Sequence, residues 1–196
     1  MIIESHPLKP FLPSGAKILL LGSFPPPKER WKINFYYPNF QNDMWRIFGL
    51  VFFGQKDYFI LNEEKTFDEF KIRNFLTDTG IAIYDTAEKV IRKKGNASDQ
   101  FLQIVELSDV TGFLSKMPLC NAIAFTGTKS MNALLNLNSS GKKKVVSIGG
   151  FAEKIFGDRK VKCYRMPSSS RAYPLAIQKK VQFYRELFKS VGMEVI

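Results

Sequence analysis

Ile18-Leu19-Leu20-Leu21 runs without a polar residue into Gly22-Ser23-Phe24-Pro25-Pro26-Pro27-Lys28-Glu29-Arg30-Trp31-Lys32-Ile33-Asn34-Phe35-Tyr36-Tyr37-Pro38-Asn39-Phe40-Gln41-Asn42-Asp43-Met44-Trp45. A short, unbroken apolar run reads as a strand of a parallel sheet, buried on both faces. Open α/β sheets hold their ligands at the carboxyl ends of such strands. Here that end is stiff, because three consecutive prolines fix φ and remove backbone donors. Phe35, Tyr36, Tyr37 and Phe40 then crowd around Asn39 and Asn42. A rigid loop carrying aromatic faces and amides suits a flat heterocycle. The competing reading is a proline-rich connection whose aromatics fill the core.

Working outward, Lys17 to Leu21 forms the first strand. Gly80 to Asp85, Asn121 to Phe125 and Val161 to Arg165 read as three more. Helices are expected from Met44 to Phe53, closed by Gly54, and from Asn62 to Leu76 with Phe67, Phe70 and Phe75 on one side. Further helices are expected over Leu107 to Lys116, Lys129 to Leu135, Gly149 to Phe156 and Pro174 to Val191. The last repeats Val181, Tyr184, Leu187, Phe188 and Val191 at helical spacing. Residues 91–99 read as a basic loop, and the run Ser139-Ser140-Gly141-Lys142-Lys143-Lys144 as an exposed turn. Strands alternating with helices predict an α/β chain: a three-layer α/β/α arrangement around a central four-stranded parallel sheet, in one domain over residues 1–196. The strand ends then gather the Ser23 loop, Asp85, Thr126 and the Ser168–Arg171 loop at one cleft rimmed by basic segments.

The 29 Lys and Arg outnumber 18 Asp and Glu, for a net charge of +11. Such a balance in a small domain points to polyanionic partners, nucleic acid first among them. The two cysteines, Cys120 and Cys163, form no Cys-x-x-Cys, and His6 is the single histidine. Zinc and iron–sulfur sites therefore lack ligands, and the thiols are expected reduced and buried. His6 precedes the first strand, in a segment expected to be mobile, which disfavours a histidine-based triad. No signal peptide opens the chain and no apolar run reaches the roughly 18 residues a membrane helix needs. A cytoplasmic protein is expected, nucleoid-associated in a prokaryote. The chain also lacks both Gly-x-Gly-x-x-Gly and a Walker loop, which weakens a nucleotide-binding reading.

Four short blocks, in order along the chain, resemble the uracil-DNA glycosylase superfamily. Gly22-Ser23-Phe24-Pro25, Tyr36-Tyr37, Asn42 and Trp45 are similar to the first motif of its hypoxanthine-DNA glycosylase branch. Gly80-Ile81-Ala82-Ile83-Tyr84-Asp85 resembles that branch's Gly-Ile-Ala-Leu-Trp-Asp strand, and Phe125-Thr126-Gly127 its Phe-Asn-Gly turn. Met166-Pro167-Ser168-Ser169-Ser170 resembles the DNA-inserting loop of the thymine and mismatch-uracil branch. Pro26 stands where the family has Gly, Phe24 where the mismatch-uracil branch has its catalytic Asn, and Phe40-Gln41 where Pro-Arg precedes the asparagine.

The resemblance implies a monofunctional DNA glycosylase that flips a deaminated base and hydrolyses its glycosidic bond, with no cofactor or metal. It implies Asn42 as the catalytic residue, holding the attacking water. Ser23, Phe24, Tyr37 and Asp85 would bind the base, Tyr37 by stacking and Asp85 by reading its edge. Ser168, Ser169 and Ser170 would hold DNA phosphates, and Arg171 would fill the emptied stack. The partner is then DNA containing a damaged base, bound by a monomer. Simpler roles compete: Asn42 as N-cap of the Met44 helix, Tyr37 as a core residue, Asp85 as cap of a segment starting at Thr86, and the serines as an ordinary turn. The alternative function is a damaged-DNA or single-strand binding module that has lost catalysis.

Overall fold

The computed structural model describes residues 2–93, 101–135 and 146–196. Its main sheet has five strands in the order β5-β2-β8-β10-β9. Four of them, β2 (Ile18–Gly22), β5 (Ile81–Asp85), β8 (Ala122–Phe125) and β10 (Arg159–Arg165), are mutually parallel. The first three are buried at every position, which is why they read as uninterrupted apolar runs. These four are the strands expected from sequence.

The fifth strand corrects that expectation. Gly149 to Phe156 does not form a helix, because Phe151–Phe156 is β9, paired antiparallel with β10. The sheet is therefore mixed and five-stranded rather than purely parallel and four-stranded. Phe156 and Arg159 pair across Gly157-Asp158, and Gly157 takes φ of 63°. Glycine supplies that left-handed turn at no steric cost, and a Gly-Asp pair between two strand-like runs is a two-residue hairpin signal.

A second sheet was not legible. β1 (Ile3–Ser5), β6 (Ala87–Arg92) and β7 (Leu102–Leu107) form an antiparallel trio in the order β1-β6-β7. The expected basic loop over residues 91–99 thus begins inside β6, and residues 94–99 lie outside the described residues. The expected turn over residues 139–144 also lies outside them. This small sheet has its own core of Ala87, Val90 and Leu102, packed against Phe24 and Ile104.

Helix α1 (Met44–Phe53) ends as expected at Gly54, which is left-handed with φ of 66°. The next helix starts later than expected, at Glu69, after a two-strand ribbon of β3 (Ile60–Leu61) and β4 (Thr66–Phe67). Asp68 caps α2 (Glu69–Thr79) by accepting from the Lys71 amide. Phe67 and Phe75 are buried, whereas Phe70 is 76% exposed, so the three do not share one face. The short α3 (Val110–Ser115) and α4 (Thr128–Leu135) follow, then α5 (Ile177–Ser190). Helices α1 and α5 pack through an aromatic cluster: the Phe48 ring lies 5.3 Å from Phe188 and 6.2 Å from Tyr184. Both cysteines are free and buried, as expected. Burial pushes the Cys120 thiol up to about 11 and the Cys163 thiol to about 12, so both stay protonated and unreactive at neutral pH.

Candidate functional site

The parallel strands end together, and their carboxyl edge opens into a cleft of about 830 Å³. Gly22 and Asp85 are register partners at the ends of β2 and β5, and Thr126 follows β8. Met166 follows β10 and leads into the serine loop. Every residue assigned a site role from sequence lines this one cleft: Ser23, Phe24, Tyr37, Asn42, Asp85, Ser168, Ser169, Ser170 and Arg171.

Asp85 forms the foot of the cleft. No helix follows it, since Ala87–Arg92 is a strand, so the capping role does not apply. Its Oδ2 lies 2.9 Å from His6 Nε2 instead. This overturns the expectation of a mobile His6: its side chain is fully buried, and His6 N–H donates to the Glu88 carbonyl, continuing the β1–β6 pairing. The imidazole sits among Tyr84, Phe24 and Tyr36, with ring centroids at 4.4, 5.2 and 6.2 Å. Sequence reasoning missed it because its partner lies 79 residues away and nothing local marks the pairing. Around Asp85, burial and then the neighbouring carboxylate charge push the Tyr36 hydroxyl well above the usual phenol range. That hydroxyl donates to the Lys9 carbonyl at 2.9 Å.

The other carboxylate oxygen, Oδ1, explains Gly22. A Cβ on Gly22 would stand 2.1 Å from Asp85 Oδ1 and 3.7 Å from the Tyr37 hydroxyl. Any side chain there would push Asp85 out of place. Tyr37 itself adopts φ of 49°, a left-handed conformation that costs a bulky residue energy and recurs at functional sites. Its hydroxyl pairs with Thr126 Oγ1 at 3.0 Å, and its ring meets Trp45 edge-on at 6.0 Å. Asp85, Tyr37 and Thr126 thus set a carboxylate and two hydroxyls along one wall.

The proline loop is fixed at both ends. Trp31 Nε1 donates to the Pro26 carbonyl at 2.8 Å, and Arg92 Nη2 donates to that of Pro25 at 3.1 Å. Phe24 rests against His6 and beneath the Arg92 guanidinium, 5.9 Å from its ring centroid. The small sheet therefore braces the loop and the Asp85 carboxylate together.

On the opposite wall, Asn42 forms an isolated antiparallel bridge with Ser170, and Asp43 N–H donates to the Ser169 carbonyl at 3.1 Å. The N-cap of α1 is Asp43, not Asn42, but Asn42 Oδ1, one residue earlier, accepts from the Met44 amide at 2.9 Å and so satisfies the first N–H of the helix. Ser168 and Ser170 each accept, through the side-chain oxygen, from the amide two residues ahead. Arg171 folds back: Nε donates to Asp43 Oδ1 at 2.9 Å and Nη1 to Gln41 Oε1 at 2.8 Å. Under the loop, Lys180 is buried and donates to the Ser170 carbonyl at 2.7 Å, while Arg46 donates to the carbonyls of Phe40 and Asn42. Burial lowers the pKa of both, and the Arg171 charge lowers each further. Three cations thus surround the single carboxylate of Asp43, and Arg30, Lys129 and Arg165 also line the cleft. The rim is a ready seat for anions.

Among the described residues, no group of three or more His, Cys, Asp or Glu side chains could hold a metal ion, and no helix is long and apolar enough to cross a membrane. No protein-family model matches the chain, and no curated protein matches it in sequence. A solved structure is similar over nearly the whole length. It is the solution NMR structure of a Methanosarcina acetivorans protein described as a "putative Uracil DNA glycosylase". The two superpose with a TM-score of 0.63 at 21% identity, over 97% of this chain and 99% of that one. At that identity the likeness is one of fold: this chain has the architecture of that Methanosarcina protein, with the cleft at the carboxyl edge of its parallel strands.

Proposed function

We propose that the chain is a monofunctional DNA glycosylase, acting as a monomeric single domain, that excises a deaminated base from DNA during base-excision repair. The observation that carries this is the Asp85 carboxylate lining a basic cleft, with Oδ2 committed to His6 and Oδ1 lodged in the space that Gly22 leaves for it. A carboxylate oxygen only accepts hydrogen bonds. Uracil N3, hypoxanthine N1 and xanthine N1 each present an N–H, whereas cytosine N3 and adenine N1 present lone pairs. Asp85 would accept from the deaminated bases and repel cytosine and adenine, whereas guanine, which carries an N1–H of its own, would have to be excluded by the shape of the pocket around its 2-amino group. The flipped base would lie against Tyr37 and Phe24 and beside Ser23. Ser168, Ser169 and Ser170 would hold phosphates over the buried cations, and Arg171 would leave Asp43 to fill the emptied stack. Asn42 would position the attacking water as the base leaves as an anion.

One observation favours a second reading, a lesion-binding module with little catalysis. The Asn42 oxygen already accepts from the Met44 amide, which leaves one lone pair and the side-chain NH₂ to hold water. An amide is too weak a base to take the proton of the nucleophile.

Duplexes carrying single uracil, hypoxanthine, xanthine or mispaired thymine, followed by alkaline cleavage, separate the two readings. Release of hypoxanthine or xanthine ahead of uracil is expected, because a two-ring base would cover more of the Tyr37 and Phe24 faces than a single ring. Asp85→Asn should weaken the selection against adenine and cytosine, since an amide both donates and accepts. Tight, selective binding with no cleavage of any duplex would establish the second reading. In either case affinity should fall steeply as salt rises, since each phosphate contact releases counterions. Binding that stays flat from low to physiological salt would remove the basic rim from the docking surface.

A further inference from the structure

We propose that His6 is a positioning residue of this site, which sets the hydrogen-bonding polarity of the cleft by pinning one oxygen of Asp85. The inference rests on the reading of Asp85 as the base-edge acceptor. Its ground is geometric. His6 is fully buried inside an aromatic box and contributes no surface to the cleft, yet its Nε2 meets Asp85 Oδ2 at 2.9 Å. Nδ1 is held by the Leu8 backbone, 3.1 Å from the amide and 2.9 Å from the carbonyl. The ring therefore cannot turn without breaking contacts at both nitrogens. A carboxylate only accepts, so the 2.9 Å contact with Asp85 requires the proton on Nε2. Nδ1 then accepts from the Leu8 amide in the neutral ring, or donates to the Leu8 carbonyl in the imidazolium.

The consequence falls on Asp85. Its carboxylate cannot rotate, so Oδ1 stays against Gly22 at the end of β2, where the missing side chain leaves room for it. An Asp85 free to turn could swing its acceptor off the base edge and leave adenine N1 or cytosine N3 unopposed. His6 keeps that option closed. Selection against adenine and cytosine thus depends on a residue that touches no base.

The single histidine of the chain makes the test clean, because protein labelled with ring ¹⁵N-histidine shows one imidazole. An Nε2-bound proton in slow exchange with water is expected, lost or markedly shifted in Asp85→Ala. In lesion assays, His6→Leu should lower the preference for hypoxanthine over adenine about tenfold, the equivalent of one unmade buried hydrogen bond. His6→Gln, which keeps a donor, should restore most of that preference. A folded His6→Leu with the parental ratio would overturn the proposal, as would an Nε2 signal indifferent to Asp85→Ala. If the wild-type protein releases no base from any duplex, the glycosylase reading fails while this one is still decided. Free hypoxanthine should then shift the Nε2 resonance of the wild type and not of Asp85→Ala. No shift with any nucleobase would overturn it.

Discussion

Replacing Asn42 by alanine is expected to slow base release by about two to three orders of magnitude, the usual cost of removing one positioned polar group at a reacting centre. The structure complicates the experiment in a useful way. Asn42 Oδ1 also accepts from the Met44 amide at the start of α1, and losing a capping bond to such a helix-end donor costs about 0.5–2 kcal/mol of stability. A lower melting temperature is therefore expected alongside the slower rate. Asn42→Ser separates the two roles, because serine is a good cap and carries no amide. Single-turnover rates should fall in both variants, whereas the melting temperature should fall only in the alanine one. Near-normal turnover in Asn42→Ser would reduce Asn42 to a helix cap and move the catalytic burden elsewhere.

The largest expected effect on stability lies away from the cleft, at Phe48. Its side chain has no exposed surface and meets the rings of Trp45, Phe52, Phe75, Tyr184 and Phe188 at centroid distances of 5.3–6.2 Å. Phe48→Ala removes the ring through which α1 faces α5, and truncations of this kind cost about 3–5 kcal/mol. For a chain of this size that corresponds to a melting point lower by about 10 °C. Chemical denaturation with an unchanged slope would show that the folded state alone was weakened. A loss under about 1 kcal/mol would mean that the neighbouring rings collapse into the space, which interlocked aromatics seldom manage.

The elements legible in the sequence were those whose burial is complete. Ile18 to Leu21, Ile81 to Tyr84 and Ala122 to Phe125 are apolar throughout because helices and loops cover both their faces, and such runs leave little choice of reading. Gly54 marked the end of α1 because only a left-handed residue closes a helix there at low cost. Elements with one wet face were lost. Phe151-Ala152-Glu153-Lys154-Ile155-Phe156 has exposed and half-buried positions in alternation, and six residues are too few to separate that period from a helical one. β1 and β6 pair Ile3 with Ile91, so neither half predicts the other. The cleft was legible to the same degree. Asp85 and the serine loop follow readable strands, and Tyr37 and Asn42 were singled out by likeness to a known motif; the structure brings all of them to one cleft. His6 was not legible, since its role exists only once two distant segments have been brought together.

The two oxygens of Asp85 answer to parts of the molecule with unequal resistance to opening. The strand that carries Asp85 belongs to the large core, whereas among the described residues the sheet that continues into His6 closes over a small cluster, Ala87, Val90 and Leu102 with Phe24 and Ile104 against them. Free energies of local opening scale with such buried contacts, so β1 should part from β6 well before the main sheet yields. During such an excursion Asp85 stays in place but loses its partner, and the cleft keeps its shape while losing its selectivity. Fidelity in this protein would then be a thermally activated property: warming or mild denaturant would blur the choice of base before it unfolds the chain.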